Sequence, residues 1–252
     1  MKRPQLMLYG ATAYVLFNLS FLYMLGFFQG VPFIKAINDG TETTTAIAVM
    51  INVGLIFLFG FFHSLMARSG FKSWWTRIVP VEAERSTYVM QSALFLGLAM
   101  WQWQPMPTTL WLIEGPAVWA AYVIFGVGVV VLLWSTFLID HFELFGLRQI
   151  WSANTQRPMP KPTFRTPSLY RLVRHPMQLA MILVLFGTPH MTAGHLLFAM
   201  SMTLYILIGL WFEERSLVRE FGRDYIAYQR KVPMLIPGMK LAVGLSPKPR
   251  AN

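Results

Sequence analysis

Cysteine is absent from this 252-residue chain, which excludes disulfides, thiolate nucleophiles, Cys-ligated zinc and iron–sulfur clusters together. Charge is also scarce: Asp, Glu, Lys and Arg make up 13% of the residues, against roughly a quarter in a soluble domain. Acids are the scarcer sign, 11 against 21 Lys and Arg, and five His complete the stock for acid–base or metal chemistry. In their place stand 55% apolar residues, including 20 Phe, 9 Trp and 9 Tyr. So much apolar surface excludes intrinsic disorder and points to an integral membrane protein. The net charge of +10 raises nucleic acid as a partner, but the basic residues lie between apolar runs, without the stripe or module motif such a reader needs. No nucleic acid is expected.

Apolar runs at 6–28, 46–66, 88–103 and 117–139 approach the roughly 20 residues that a spanning helix requires. Two more, 177–190 and 192–212, are separated by Gly187-Thr188-Pro189. The fifth is short and reads as a spanning, tilted or re-entrant arm of a hairpin, because Pro189 cannot continue a regular helix. Six crossings with both termini in the cytoplasm place 20 of the 21 basic residues inside, leaving Lys35 outside; five crossings would strand the last eight on the far side. The first run is longer than a signal-peptide core and lacks a small-x-small cleavage site before Gln29. The expected fold is all-α integral membrane with five to six transmembrane helices. One domain over 1–252 divides into four N-terminal helices (1–140), a cytoplasmic connector (141–176), a hairpin and C-terminal region (177–237) and a tail (238–252). The connector contains Arg157-Pro158-Met159-Pro160-Lys161-Pro162, an extended stretch, and the tail Lys248-Pro249-Arg250. The last run continues helically to Phe221 and stops at Gly222, so at 1.5 Å per residue it protrudes beyond a hydrocarbon core of about 30 Å.

Three polar clusters lie at the basic ends of the runs. In Tyr170-Arg171-Leu172-Val173-Arg174-His175-Pro176, the proline suits a helix start, and Arg and His beside a helix N-terminus favour an anionic group such as a carboxylate. The plainer reading is a positive anchor, which does not need imidazole. Glu213-Glu214, with Tyr225 and Tyr228 beyond the turn, calls for a cationic partner: a ligand ammonium, or pairing with Arg215, Arg219 or Arg174. The third cluster comprises His63 inside an apolar run, Arg68, Arg77, Glu84 and Arg85, and Asp140-His141-Phe142-Glu143 with Arg148. Ionisable groups within a span usually face a cavity or partner. No HExxH-like pair supports a metal centre built from His63, Asp140, His141 and Glu143, so no metal is expected. His190 and His195 flank the outer hairpin tip, where polar contact at the far interface is the expectation. Mid-membrane polar residues are limited mainly to Asn18 and Asn52. A transporter or assembly factor would carry more of them, so the one-sided clusters favour an enzyme.

The C-terminal third, Leu169 through Pro176, then Glu213-Glu214-Arg215-Ser216-Leu217, Phe221-Gly222-Arg223-Asp224-Tyr225-Ile226-Ala227-Tyr228 and Val232-Pro233-Met234-Leu235-Ile236-Pro237, resembles the integral-membrane methyltransferases related to isoprenylcysteine carboxyl and phospholipid methyltransferases, including the NnrU-like branch. With Phe62-His63-Ser64-Leu65-Met66-Ala67-Arg68, Trp74-Trp75-Thr76-Arg77, Glu84-Arg85-Ser86-Thr87-Tyr88 and Asp140 through Gln149, the resemblance extends over nearly the whole chain and narrows to the bacterial methanethiol S-methyltransferases. Two departures stand out: relatives often carry Tyr and Gly where this chain has Gln178 and Ala180, and commonly Gly where it has Ser168.

The resemblance implies methylation of a small volatile thiol, methanethiol, to dimethyl sulfide, with S-adenosylmethionine becoming S-adenosylhomocysteine. An isoprenylcysteine or lipid acceptor is the alternative, and a non-catalytic membrane protein the second. It implies a site facing the cytoplasm, in a bacterial inner membrane, with lipid as the surrounding partner; no Gly-rich βαβ fingerprint for a Rossmann domain is present. Cofactor binding is expected in the Tyr170, Val173, Arg174, His175 and Pro176 segment: Arg174, His175 and the helix start at the carboxylate, Glu213 or Glu214 at the ammonium or ribose, and Tyr170 or Tyr225 packing nearby. The thiolate is the nucleophile, so its formation needs help near neutral pH. His63 and His141 are candidate bases, Asp140 an orienting partner, and Arg77 and Arg148 sources of positive potential.

Overall fold

The computed structural model describes residues 3–160 and 163–239. Lys2, the Lys161-Pro162 part of the connector and Lys248-Pro249-Arg250 lie outside the described residues. Among the described residues, the apolar runs become helices where their length dictates: α1 (Arg3–Gln29), α2 (Thr45–Ala67), the short α3 (Ser69–Trp75), α4 (Val81–Trp101), and, after strand β1 (Thr109–Leu112), α5 (Val118–Ile139). The segments α6 (His141–Leu144) and α7 (Leu147–Thr155) follow, then α8 (Pro176–Phe186), strand β2 (His190–Thr192), α9 (Ala193–Phe221) and α10 (Arg223–Lys231). Four helices, α1, α2, α5 with its preceding turn, and α9, are long and apolar enough to cross a membrane, as expected of an integral membrane protein. The helix α4 has 21 residues but opens with Glu82 and Glu84.

The fifth apolar run behaves differently from a spanning segment. Its helix, α8, has 11 residues, about 16 Å at 1.5 Å per residue, half the hydrocarbon thickness. The rest of the run turns at Gly187 and forms β2, which pairs antiparallel with β1, a small sheet that the apolar pattern did not announce. Ile113 N–H also donates to Pro189 O at 2.8 Å, so the breaker is used to close the sheet.

Cross-helix contacts place all the basic helix ends together. Leu6, Ala83 and Ile150 form one buried cluster, and Tyr9 meets Thr87 at 2.8 Å, so α1 and α4 start at the same level. Tyr205 reaches Ser64 at 3.1 Å, and the Arg68 guanidinium lies 4.2 Å from the Phe212 ring centre, so α2 and α9 end there too. At the opposite end, Lys35 donates to Trp101 O and Trp103 O at 2.7 and 2.8 Å, capping the carbonyl-rich end of α4, which a cation complements. Asn52 is buried because it both accepts from Gln104 N–H and donates to Gln104 O. His190 meets Thr109 Oγ1 at 2.9 Å, the polar contact expected near the tip. His195 does not: it is 1% exposed, bonds Leu185 O at 2.9 Å and stacks on Phe28. It therefore satisfies an orphan carbonyl at the end of α8, a requirement of every helix terminus.

The two glycine positions that matter are Gly187 and Gly222. A methyl at Gly187 would stand 2.7 Å from Phe125 N and 2.8 Å from Leu183 O, so the α5 and α8 backbones approach closely, the small-residue contact that lets membrane helices pack. Gly222 has φ 57°, where a side chain is unfavourable, and ends α9 at the expected residue. Ser168 has φ 39°, a left-handed conformation that costs a side-chain-bearing residue roughly 1 kcal/mol or more. Ser168→Gly is expected to raise stability by about 0.5–1 kcal/mol, read as an increased Tm in detergent; an unchanged or lowered Tm would contradict this account of strain.

Candidate active site

The helix α8 begins where the sequence pattern places it, with Pro176 as its first residue. His175 and Arg174 precede it, held by Arg174 N–H to Pro233 O at 2.9 Å and His175 N–H to Met234 O at 3.1 Å. These two bonds explain the Val232-Pro233-Met234-Leu235 stretch: it docks edge-on to the segment that carries the charged pair. Val173 is buried beneath them.

Their side chains converge on one carboxylate. Arg174 Nε and Nη2 donate to Glu214 at 2.8 and 3.0 Å, a bidentate pair, while Nη1 donates to Gln229 O and Val232 O. His175 Nε2 reaches the same carboxylate at 2.7 Å; since a carboxylate only accepts, this nitrogen carries the proton. Tyr225 Oη and Gln229 Nε2 complete the set at 2.8 and 2.5 Å. Burial, together with the Glu214 charge, pushes the Tyr225 hydroxyl above its usual range, so it remains a donor. Burial likewise pushes Tyr228 up to about 12, and its hydroxyl donates to Tyr170 O. Phe164 of the connector packs edge-on against Tyr225 and Tyr228, so this part of the connector is seated on α10.

The two adjacent acids thus have different surroundings. Glu214 is committed to internal partners, the pairing with Arg174 that sequence left as one alternative. Glu213 points the other way: its side chain is 46% exposed, 4.0 Å from His175 Nδ1, with Gln178 Nε2 at 3.3 Å. Tyr170 stands close enough that the Glu213 charge, after burial, helps push its hydroxyl up. Tyr88 on α4 is within electrostatic reach of Glu213 as well. Glu213 is therefore half-exposed at the start of α8, with His175 and Gln178 beside it and Tyr170 and Tyr88 within electrostatic range.

The two histidines singled out as candidate bases fall in separate networks. His63 meets Tyr88 Oη at 2.6 Å and Ser92 Oγ at 2.8 Å, both on one face of α4. His141 is buried, with Tyr14 Oη at 2.7 Å and Thr136 Oγ1 at 2.8 Å on its two nitrogens; it stacks on Phe137, and burial lowers its pKa. Beside it Asp140 caps α6 by accepting from Glu143 N–H at 3.0 Å and pairs with Arg148. A cleft of about 600 Å³ lies between this pair, Trp151 and the start of α1. Arg77 is exposed on the turn after α3. The structure therefore gathers Tyr170, Arg174, His175, Pro176, Glu213, Glu214 and Tyr225, places His63 at the α2–α4 contact with Tyr88, and leaves Asp140, His141 and Arg148 together elsewhere. Tyr88, Ser92 and Gln229 were not singled out as site residues from sequence. Only the four-residue spacing of Tyr88 and Ser92, one helix face, hints at a shared partner.

The chain is 46% identical to methanethiol S-methyltransferase 2 of Bradyrhizobium diazoefficiens, over 93% of this chain and 91% of that protein. It is 44% identical to methanethiol S-methyltransferase of Mycobacterium tuberculosis, over 94% and 98% respectively. Nurim of Sus scrofa is 32% identical over 66% of each chain. No family model and no solved structure matches.

Proposed function

This chain belongs to the methanethiol S-methyltransferase family, and on that premise we propose that it methylates methanethiol to dimethyl sulfide, with S-adenosylmethionine as methyl donor, in the recess beside Glu213. The observation that carries the reading is the unlike pair of acids: a saturated Glu214 holding Arg174 and His175 in place, next to an accessible Glu213 that has capacity for an outside cation.

The recess fits the donor's polar parts. Glu213 and Gln178 take the ammonium or ribose hydroxyls. The first-turn N–H groups of α8, which lack intrahelical partners, take the carboxylate. Tyr170 packs alongside, while Val173, Pro176 and Tyr225 shape the wall. Arg174 contributes through the position of Glu214 rather than by contact, since its guanidinium nitrogens are already used. Gln178, where relatives often have Tyr, keeps a polar contact to Glu213. When bound, S-adenosylmethionine supplies a methyl group on a positively charged sulfur.

The chain's own task is to present a thiolate to that methyl and to exclude water. A thiolate and a sulfonium neutralise one another as they react, so scarce water lowers the barrier. His63 and Tyr88 line the apolar side of the recess, where a small apolar thiol arrives from the bilayer. The basic helix ends surround the recess, which by the positive-inside rule puts it on the cytoplasmic face of the inner membrane. The separate Asp140, His141 and Arg148 group supports the architecture at that face.

The purified protein in detergent, given S-adenosylmethionine and methanethiol, is expected to release dimethyl sulfide into the headspace above a protein-free control. Glu213→Gln is expected to weaken S-adenosylmethionine binding by calorimetry about 10- to 100-fold, the range of a lost charged hydrogen bond. Turnover of an isoprenylcysteine or lipid acceptor with no dimethyl sulfide would overturn the substrate; unchanged binding in the Glu213 variant would overturn the site.

A further inference from the structure

The His63 network has a direction that the distances alone determine. Ser92 Oγ has one proton, and it goes to Tyr88 O at 2.7 Å in the preceding turn. Ser92 can therefore only accept at its 2.8 Å contact with His63 Nδ1, so that nitrogen carries the ring proton. The other nitrogen, Nε2, then presents a lone pair, and Tyr88 Oη donates to it at 2.6 Å. His63 is thus held as a proton acceptor, with its basic nitrogen covered by a phenol. The ring is kept in place by Phe59, stacked at 5.3 Å, and by Tyr205 edge-on at 6.1 Å.

A purely structural reading makes this an interhelical bond between α2 and α4, of which membrane bundles contain many. Two features go beyond it. An interhelical bond needs one contact, whereas here Ser92 also selects the tautomer. The phenol is also surrounded by charge: the Arg85 guanidinium lies 4.9 Å from the Tyr88 ring centre. The titratable and charged groups facing Tyr88 are His63 on α2, Glu84 and Arg85 on α4, and Tyr205 and Glu213 on α9. Arg85 is itself fixed by donating to Leu144 O at 2.7 Å. The Arg85 cation opposes the Glu84 and Glu213 charges beside the ring, and the phenol acts as a neutral proton carrier rather than as a lasting anion, which a mere tether does not require.

We infer that Tyr88 is the catalytic residue that takes the thiol proton and relays it to His63, with Ser92 positioning the imidazole. This rests on the site proposed above. In the step, the S–H bond of methanethiol breaks and its proton passes to Tyr88 Oη. The proton already on Tyr88 moves to His63 Nε2, giving imidazolium. The freed electron pair on sulfur forms the new S–CH3 bond as the donor's methyl–sulfur bond breaks, leaving two neutral thioethers, and the positive charge ends on His63. Deprotonation of His63 to water then resets the pair. His141 is held in the same manner, by Tyr14 Oη on Nε2 and by Thr136 Oγ1, whose proton goes to Leu133 O, on Nδ1, but it belongs to the separate α1, α5 and α6 cluster and not to the α4 face that carries Tyr88.

The test uses the full-length protein in detergent with Tyr88→Phe and His63→Gln. At pH 7 each is expected to lower kcat/KM for methanethiol by about 100-fold or more, within the usual range for a general base, while S-adenosylmethionine affinity by calorimetry stays within about threefold. Because a base is dispensable once the thiol ionises in solution, the deficit is expected to shrink as pH rises towards the thiol pKa, by about tenfold per unit. An independent readout without substrate is 15N NMR of labelled histidine, assigned with His63→Gln: wild type shows the Nδ1–H tautomer, and Ser92→Ala loses that preference. A deficit independent of pH, affinity for the donor falling in parallel with rate, or the opposite tautomer would overturn the relay. Failure of the wild-type protein to bind S-adenosylmethionine would instead overturn the site on which it rests. A variant with a strongly lowered Tm and activity lost at every pH counts as the structural bond, against the relay.

Discussion

Glu214→Ala is expected to destabilise the protein by about 3–5 kcal/mol and to abolish measurable S-adenosylmethionine binding. The carboxylate receives Arg174, His175, Tyr225 and Gln229, and Arg174 is only 9% exposed. Removing one partner of a buried ion pair leaves the other charge uncompensated, the costly case. Replacing both charges by apolar groups is far milder. Arg174→Met combined with Glu214→Leu is therefore expected to regain most of the Tm lost in Glu214→Ala without regaining donor binding, since His175 and Tyr225 no longer have their anchor. Thermal unfolding in detergent and calorimetry separate the two effects. Should the double variant melt no higher than the single one, the buried ion pair is not what holds this end of α8.

Gly187→Ala is the other large effect, and its cause is steric. The added methyl meets Phe125 N at 2.7 Å, Leu183 O at 2.8 Å and the Phe125 Cα at 2.8 Å. All three are backbone atoms, so no side chain can swing aside; α8 has to move away from α5 or the turn into β2 has to change. Overpacking of this kind costs about 1–3 kcal/mol or more. Because α8 begins at Pro176, next to His175, displacement is also expected to reduce donor affinity from a distance of 11 residues along the helix. Gly126→Ala on α5 meets nothing within 4 Å and serves as the control. There the substitution is expected to be neutral or to stabilise by about 0.5–1 kcal/mol through helix propensity. Equal melting temperatures for the two variants would remove the close approach as the explanation.

Much of the architecture was legible because hydropathy belongs to contiguous residues. The helices over the long apolar runs, the 29-residue α9 with its glycine stop and the basic bias of one end follow from runs that any reader can count, whereas of the five to six crossings expected only four helices among the described residues are long and apolar enough to span. The fifth run was legible only as short. Its apolar residues continue to His190, but the helix ends at Phe186, because Gly187 lies against α5 and the following residues find β1, contacts invisible to a hydropathy pattern. His195 illustrates the same point: near a hairpin tip it resembles an interfacial residue, yet the end of α8 turns it inward to bond Leu185 O.

The sequence by itself determined that the chain lives in a membrane, which end is basic, and which few ionisable side chains have to be accounted for, since those properties depend on composition and local spacing. Only the tertiary structure decided which of two neighbouring glutamates is saturated and which is half-exposed, and that His63 and His141 belong to separate networks. The physical reason is that Glu213 and Glu214 differ by 100° of helix rotation, which is enough to face different neighbours. The partners themselves come from residues 40 apart for Arg174 and Glu214, 25 apart for His63 and Tyr88, and 127 apart for Tyr14 and His141. Such pairings are set by how the helices pack against one another, and no local pattern encodes them.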